Sequence, residues 1–229
     1  MSKKIILKNI SKKYSTNANI KVLNDLNFSF EQGKIYSLVG PSGSGKSTLL
    51  NLLSLIDTPS AGSIEILNNK INFKEKIKND TIRSEKIGIV YQDKNLLSDF
   101  TALENVYLPR LLLTNDKYNS IIEAKKIIKK VGLSSRLNHY PSELSGGENQ
   151  RIAISRALIN QPEIILADEP TGNLDFNNAK QIFNIIFNLK NNNRIIIFAT
   201  HNRYFANMAD CKIELIGGKI KTVNGRFKK

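Results

Sequence analysis

Gly40-Pro41-Ser42-Gly43-Ser44-Gly45-Lys46-Ser47 matches the pattern G-x-x-x-x-G-K-[ST], in which the backbone does as much chemistry as the side chains. Its glycines let successive N–H groups curl around phosphate oxygens, and the helix that follows turns the positive end of its dipole toward them. Lys46 supplies a charge for the terminal phosphates of a nucleotide and Ser47 an oxygen for Mg²⁺, with Thr48 counted in the same nucleotide-binding turn. A loop of this kind needs an acid at the end of a neighbouring strand to hold the metal, and the run Ile164-Ile-Leu-Ala-Asp168-Glu169 offers two. Asp168 is read as the metal ligand and Glu169 as the carboxylate that orients or deprotonates the water attacking the γ-phosphate. Two acids at a strand end can equally be a solvated turn. It is the upstream loop that favours catalysis.

A second glycine pair raises a geometric question. In Ser142-Glu-Leu-Ser145-Gly146-Gly147-Glu148-Asn-Gln-Arg151 the serine and glycines again stand just ahead of a helix. One phosphate loop grips one side of ATP and leaves the γ-phosphate partly exposed, so a second helix N-terminus could close over it. Within one subunit the first loop already has its own helix. The simplest arrangement is two chains head to tail, each Ser145-Gly146-Gly147 capping the nucleotide held by the other's Lys46 loop.

The elements that must position these groups alternate along the chain. Residues 5–14 and 22–30 have β-like alternation, and Lys34-Ile-Tyr-Ser-Leu-Val-Gly40 reads as a short buried strand running into the first loop. A helix follows from Lys46, then strand-like pieces over 62–73 and a strand within 86–92. The segment 102–132 is mostly helical, with apolar residues at Ile121, Ile122, Ala124, Ile127, Ile128 and Val131. Beyond it come a helix over 146–159, a buried strand within 163–169, a helix over 177–190, the buried strand Ile195-Ile-Ile-Phe-Ala-Thr200, a short helix and a terminal strand pair. Strands alternating with helices imply a mainly parallel sheet covered on both faces, with ligands beyond the carboxyl ends of the strands.

Composition removes several classes. A chain of 229 residues with 41% hydrophobic content can bury a sizeable core, which excludes disorder. Lys and Arg outnumber Asp and Glu by 34 to 20, giving +14, which would suit a polyanionic partner. The cations are spread along the chain, as in Glu123-Ala-Lys-Lys-Ile-Ile-Lys-Lys130, and read as solvated faces, so no nucleic-acid partner is expected. The single cysteine, Cys211, has no internal partner, the first ten residues have too short an apolar run before Lys8 to read as a secretory signal, and no apolar run approaches the roughly 18 residues of a membrane span. The expected location is cytosolic, and any work on a membrane would go through a partner.

Taken together these stretches resemble the nucleotide-binding subunits of ATP-binding cassette transporters over nearly the whole chain. Leu144-Ser-Gly-Gly-Glu148 is similar to the family's signature, with Glu148 where glutamine is more usual, and the resemblance counts Glu148 with Ser145, Gly146 and Gly147 among the nucleotide-binding residues. The resemblance implies an α/β phosphate-loop nucleotidase with a mainly parallel core sheet and an N-terminal antiparallel β subdomain over 1–92 and 160–229, and a helical subdomain over 93–159. It further implies that Tyr14 stacks on adenine, that Gln92 senses the γ-phosphate and the metal, that Asp175 communicates across the dimer and that His201 contacts the γ-phosphate. ATP and Mg²⁺ are the implied cofactors. A second copy of the chain and integral membrane permease subunits are the implied partners, at the cytoplasmic face of the inner membrane. Within the family, residues 96–109, 138–158 and 167–175 are most similar to ATPases of lipoprotein-releasing systems. Macrolide or peptide exporters and cell-division complexes share parts of them.

The segment from Leu96 to Val106 is rich in apolar residues for a surface connection; any one of Leu96, Leu97, Phe100, Leu103 and Val106 can be subdomain core, while the resemblance to transporter ATPases implies that together they line a groove for a cytoplasmic helix of the membrane subunit, with Asp99 and Glu104 at its rim. Chromosome-maintenance ATPases carry a long coiled coil between the two glycine loops, for which the distance from Lys46 to Ser145 is too short. Translation-associated cassette proteins usually pair two cassettes in one chain, and this chain has one. A binding module without turnover would lack Glu169.

Overall fold

The computed structural model describes residues 3–14, 20–172 and 174–225, with the side chain of Asn224 outside that description. The chain folds into two compact units, one of Met1–Arg83 with Lys190–Lys229 and one of Ser84–Leu189. The expected helical segment, 93–159, falls wholly inside the second.

The first unit holds a four-stranded antiparallel sheet in the order β2-β1-β4-β5, formed by β1 (Lys4–Tyr14), β2 (Ile20–Glu31), β4 (Ala61–Ile66) and β5 (Asn69–Lys70). Ile5, Leu7, Leu23, Leu26, Phe30, Ile64 and Ile66 are buried along it. The alternation of β1 is broken once. Between Leu7 and Ile10 the pairing with β2 shifts register, with Asn9 at φ 52° and Asp25 at φ 55°, and this bulge puts Ile10 rather than Asn9 into the buried set. A strict period of two would have placed Asn9 inside.

The same unit carries β3 (Ile35–Val39), which pairs in parallel with both β8 (Ile195–Ala199) and β9 (Cys211–Ile216), while β10 (Lys219–Gly225) runs antiparallel to β9. Every residue of β8 is buried, as are four of the five in β3, as expected of parallel strands covered on both faces. Helices α1 (Lys46–Leu53) and α7 (Arg203–Ala206) start just beyond β3 and β8, so the carboxyl ends of these strands feed directly into the loops of interest.

In the second unit β6 (Ile87–Val90) and β7 (Ile164–Asp168) pair in parallel. Helices α3 (Ala102–Thr114), α4 (Lys117–Lys130) and α5 (Gly146–Leu158) share a core of Val106, Ala124, Ile128, Leu133, Leu144 and Ile152, and α6 (Phe176–Asn188) packs near α5. A Cβ at Gly88 would lie 2.3 Å from the Ala157 carbonyl oxygen, so glycine is what lets β6 approach α5. One helix, α2 (Lys76–Lys86), has no counterpart in the sequence reading. Its only buried residue is Asn79, so the apolar periodicity by which helices are recognised is missing.

Candidate functional site

The first unit builds the glycine loop that the sequence reads as a phosphate cradle. β3 ends at Val39 and the chain turns through Gly40 to Gly45 into α1, whose N-cap Gly45 sits at φ 100° with Leu23 Cδ2 only 2.6 Å from where a Cβ would be. A side chain there would be strained twice over. Gly45 makes no side-chain cap, and the first turn of α1 holds no acidic residue, so the positive end of the helix meets no protein carboxylate in that turn. Lys46 is buried, and its ammonium donates to the carbonyls of Gly40 at 2.9 Å and Pro41 at 3.1 Å. The Ser44 hydroxyl is buried without a hydrogen-bond partner among the described residues, whereas Pro41, Ser42, Gly43 and Ser47 are exposed. A buried lone hydroxyl, an uncapped helix start and a cation are the donor set an anionic phosphate chain satisfies.

His201 follows β8 directly and is exposed, while Thr200 before it is buried. Asn202 then caps α7, its side chain accepting from the Tyr204 N–H at 2.9 Å. A cleft of about 590 Å³ is lined by Gly40, Pro41, Thr200, His201, Arg203 and Glu214. The first unit therefore brings His201 beside the phosphate loop. Tyr14, at the end of β1, is 37% exposed and gives its hydroxyl proton to Asp57 Oδ2 at 2.7 Å.

The second unit carries the acids. Asp168 closes β7 behind four buried residues, and its Oδ1 is buried with no hydrogen-bond partner among the described residues. An orphaned carboxylate oxygen at a strand end fits a metal ligand. Mg²⁺ keeps several waters and takes only one or two protein oxygens beside substrate phosphates, so no cage is required. None exists: among the described residues no three His, Cys, Asp or Glu side chains gather to hold an ion. Glu169 comes next with φ 43°, a left-handed conformation uncommon for a residue with a side chain. Gln92, just past β6, is exposed, and its amide nitrogen is 3.4 Å from the position a Cβ on Gly172 would take. Asn173, between Gly172 and Leu174, lies outside the described residues.

The signature loop is built as a reciprocal cap. Ser145 Oγ accepts from the Glu148 N–H at 3.3 Å, and Glu148 Oε2 accepts from the Ser145 N–H at 2.8 Å. Glu148 Oε1 accepts from Arg136 Nε at 2.9 Å. Both oxygens of the predicted nucleotide contact are thus engaged inside the chain, leaving Ser145 and Gly146 exposed and Gly147 buried, where a Cβ would come 3.2 Å from Asn178 Oδ1. Asp175 is likewise committed: its Oδ1 accepts from the N–H groups of Asn177 at 3.0 Å and Asn178 at 3.1 Å, capping α6.

The Ser145 backbone and Arg136 side-chain hydrogen bonds hold the Glu148 carboxyl at about 2, below its ordinary 4.5. A depressed acid stabilises the fold above its unfolded value and loses that contribution as pH falls through the folded one. Glu148→Gln should therefore flatten the acid limb of the stability curve between about 4.5 and about 2, measured by thermal melting at stepped pH. An unchanged acid limb would show that the cap carries no ionic contribution.

The segment Leu96 to Val106 divides between two roles. Val106 is buried, and Leu96 and Leu103 pack on the helical core. Glu104 is engaged in a capping box with Thr101, its Oε2 accepting from the Thr101 N–H at 2.8 Å. Leu97 and Phe100, at 47% and 38% exposure, face outward together with Ser98 and Asp99. Asn105 shapes this surface: it is buried, its amide donates to the carbonyls of Leu97, Phe100 and Thr101, and its oxygen accepts from the Leu97 N–H. Arg156 of α5 donates to the Lys94 and Asn95 carbonyls at 2.7 and 2.6 Å, gripping two consecutive left-handed residues just after Gln92. Sequence reasoning missed Asn105, Arg136 and Arg156, since their partners are mostly backbone groups or distant in the chain.

Comparison with known proteins agrees with this construction. The sequence model of the ABC transporter family matches residues 23–172. The lipoprotein-releasing system ATP-binding protein LolD of Rickettsia bellii is 45% identical over 223 residues, covering 96% of this chain and 99% of its own length. That of Cytophaga hutchinsonii is 40% identical over 90% of this chain and 95% of its own. Among solved structures, the dimeric bacterial ABC transporter cassette MJ0796 superposes with a TM-score of 0.91 at 36% identity, covering 98% of this chain and all of that one. The same cassette in a dimeric post-hydrolysis state bound to ADP and Pi also gives 0.91, at 35% identity.

Proposed function

This chain belongs to the ABC transporter family and is an ATPase, and from that premise we propose that it powers lipoprotein release from the inner membrane by hydrolysing ATP for a separate membrane subunit. The observation that carries the reading is the phosphate cradle of residues 40–48 in a chain that matches lipoprotein-releasing ATPases across almost its full length. We assign 1–92 and 160–229 to nucleotide binding and 93–159 to the helical subdomain.

Each residue has a stated task. The loop N–H groups and Lys46 hold the β- and γ-phosphates, Tyr14 carries the adenine, and Ser47, Gln92 and Asp168 serve the Mg²⁺, which would neutralise charge developing on the transferred phosphoryl group. Glu169 takes or steers the proton of the attacking water, and His201 steadies the γ-phosphate. Ser145, Gly146 and Gly147 cap the nucleotide of a second copy, with Glu148 shaping that cap and Asp175 shaping the loop that faces it. Support for two copies comes from the dimeric form of the similar cassette. Among the described residues no helix is long and apolar enough to cross a membrane, so docking at the inner membrane's cytoplasmic face would rest on the permease.

In cells depleted of the chain, lipoproteins destined for the outer membrane should accumulate in the inner one. A normal distribution would sink the cargo reading while leaving the ATPase standing.

The docking surface is testable apart from chemistry. Leu97→Glu or Phe100→Glu should leave the ATPase of the isolated chain largely intact and abolish its recovery with membranes containing the permease, because both side chains are partly exposed and lie outside the helical core. Unchanged co-purification would remove this surface, and loss of soluble protein would show that the two residues belong to the core.

A further inference from the structure

Lys12 is an unusual residue for the inside of a small sheet: it is only 8% exposed. The bulge in β1 rephases the strand so that Lys12 follows Ile10 on the buried side. Its ammonium donates to Asp57 Oδ1 at 2.5 Å and to the Thr58 carbonyl at 2.8 Å, and lies 4.7 Å from the centroid of the Tyr14 ring. Asp57 stands in the turn after α1, with its N–H on the Asn51 carbonyl and its Oδ1 also accepting from the Thr58 N–H at 2.7 Å. Its second oxygen takes the Tyr14 hydroxyl. The ring is thus fixed at its tip by the turn that follows α1, and covered on one face by a cation.

We propose that Lys12 and Asp57 are positioning residues for the nucleotide base: they hold Tyr14 edge-anchored with one face closed, so that a purine stacks on the other face alone. This rests on the reading of Tyr14 as the adenine platform. A cation within about 6 Å of an aromatic face draws on its π density, which suits the remaining face to an electron-rich purine. Burial works to raise the Asp57 carboxyl, but the hydrogen bonds from Lys12, Tyr14 and Thr58 outweigh it and keep the acid ionised as their common acceptor. Without Asp57 the phenol would lose its anchor, and without Lys12 the ring would have two open faces.

The test compares two probes on the full chain, ATP and inorganic tripolyphosphate, titrated calorimetrically in EDTA so that no turnover intervenes. Tripolyphosphate reads the phosphate loop alone, so the ratio of the two affinities isolates the base. Lys12→Met and Asp57→Asn should each lower that ratio by roughly three- to tenfold, in line with the worth of a partly buried cation–π contact. The double variant Lys12→Met/Asp57→Asn removes both charges at once and serves where a single change unbalances the fold. In a Tyr14→Ala background neither substitution should lower the ratio further. If the ratio holds in Lys12→Met and Asp57→Asn but falls in Tyr14→Ala, the positioning role is wrong and the platform stands. If Tyr14→Ala keeps the ratio, the platform fails and the inference with it. Equal losses for both probes would mean that the pair only supports the loop, which also overturns it.

Discussion

Glu169→Gln should bind ATP as the parent does and turn it over slower by a factor of about 10²–10⁴, the usual worth of a general base. The amide keeps the shape and one acceptor of the side chain but cannot take a proton, so the loss belongs to the chemical step rather than to binding. Asp168 is untouched by the change, and its orphaned oxygen remains for the metal. A dimer closed around ATP should then persist, because hydrolysis is what would release it. Gel filtration with ATP and Mg²⁺ reads this directly: a variant that elutes only as monomer contradicts the sandwich, and normal turnover removes Glu169 from catalysis. Lys46→Ala is the contrasting case, since it deletes the one buried cation of the phosphate loop and should weaken ATP binding itself.

Mixing two dead chains should restore activity. In a heterodimer of Ser145→Arg with Lys46→Ala, one composite site collects both lesions and the other collects an intact phosphate loop and an intact signature loop. Up to about half of the parental rate per heterodimer could survive if the two sites fire independently. Ser145 is exposed at the N-cap of α5, so arginine there blocks the cap without displacing core residues. Each homodimer would be damaged at both sites. A mixture as inactive as either parent, under conditions where heterodimers are shown to form, would overturn the trans arrangement or the independence of its sites.

The local structure around the glycine loop was legible in the sequence. Backbone wrapping of phosphate depends on where glycines fall, so the loop of Gly40 to Ser47 declared both its conformation and its ligand, and the structure builds it between a buried strand and a helix. The four apolar residues before Asp168 likewise announced a buried strand ending in an acid. Helix α2 was not legible, because its two isoleucines, Ile77 and Ile82, stand five positions apart and make no apolar stripe.

Side-chain commitments were beyond the sequence altogether. Glu148 and Asp175 look in the sequence like groups facing a nucleotide or a partner, yet the fold turns both onto the helix starts beside them, since unsatisfied N–H groups there are the nearest donors. The apolar run from Leu96 to Val106 reads as one surface, and packing splits it into core and exposed anchors. What the sequence by itself determined was the family, the strand–loop–helix of the glycine motif and the buried strand that ends in Asp168, because those depend on residue type at fixed local spacing. What only the tertiary structure decided was which donors and acceptors are already taken. Hydrogen bonds such as Lys12 to Asp57, Arg136 to Glu148 and Arg156 to the Lys94 and Asn95 carbonyls join groups that meet only after the chain has folded.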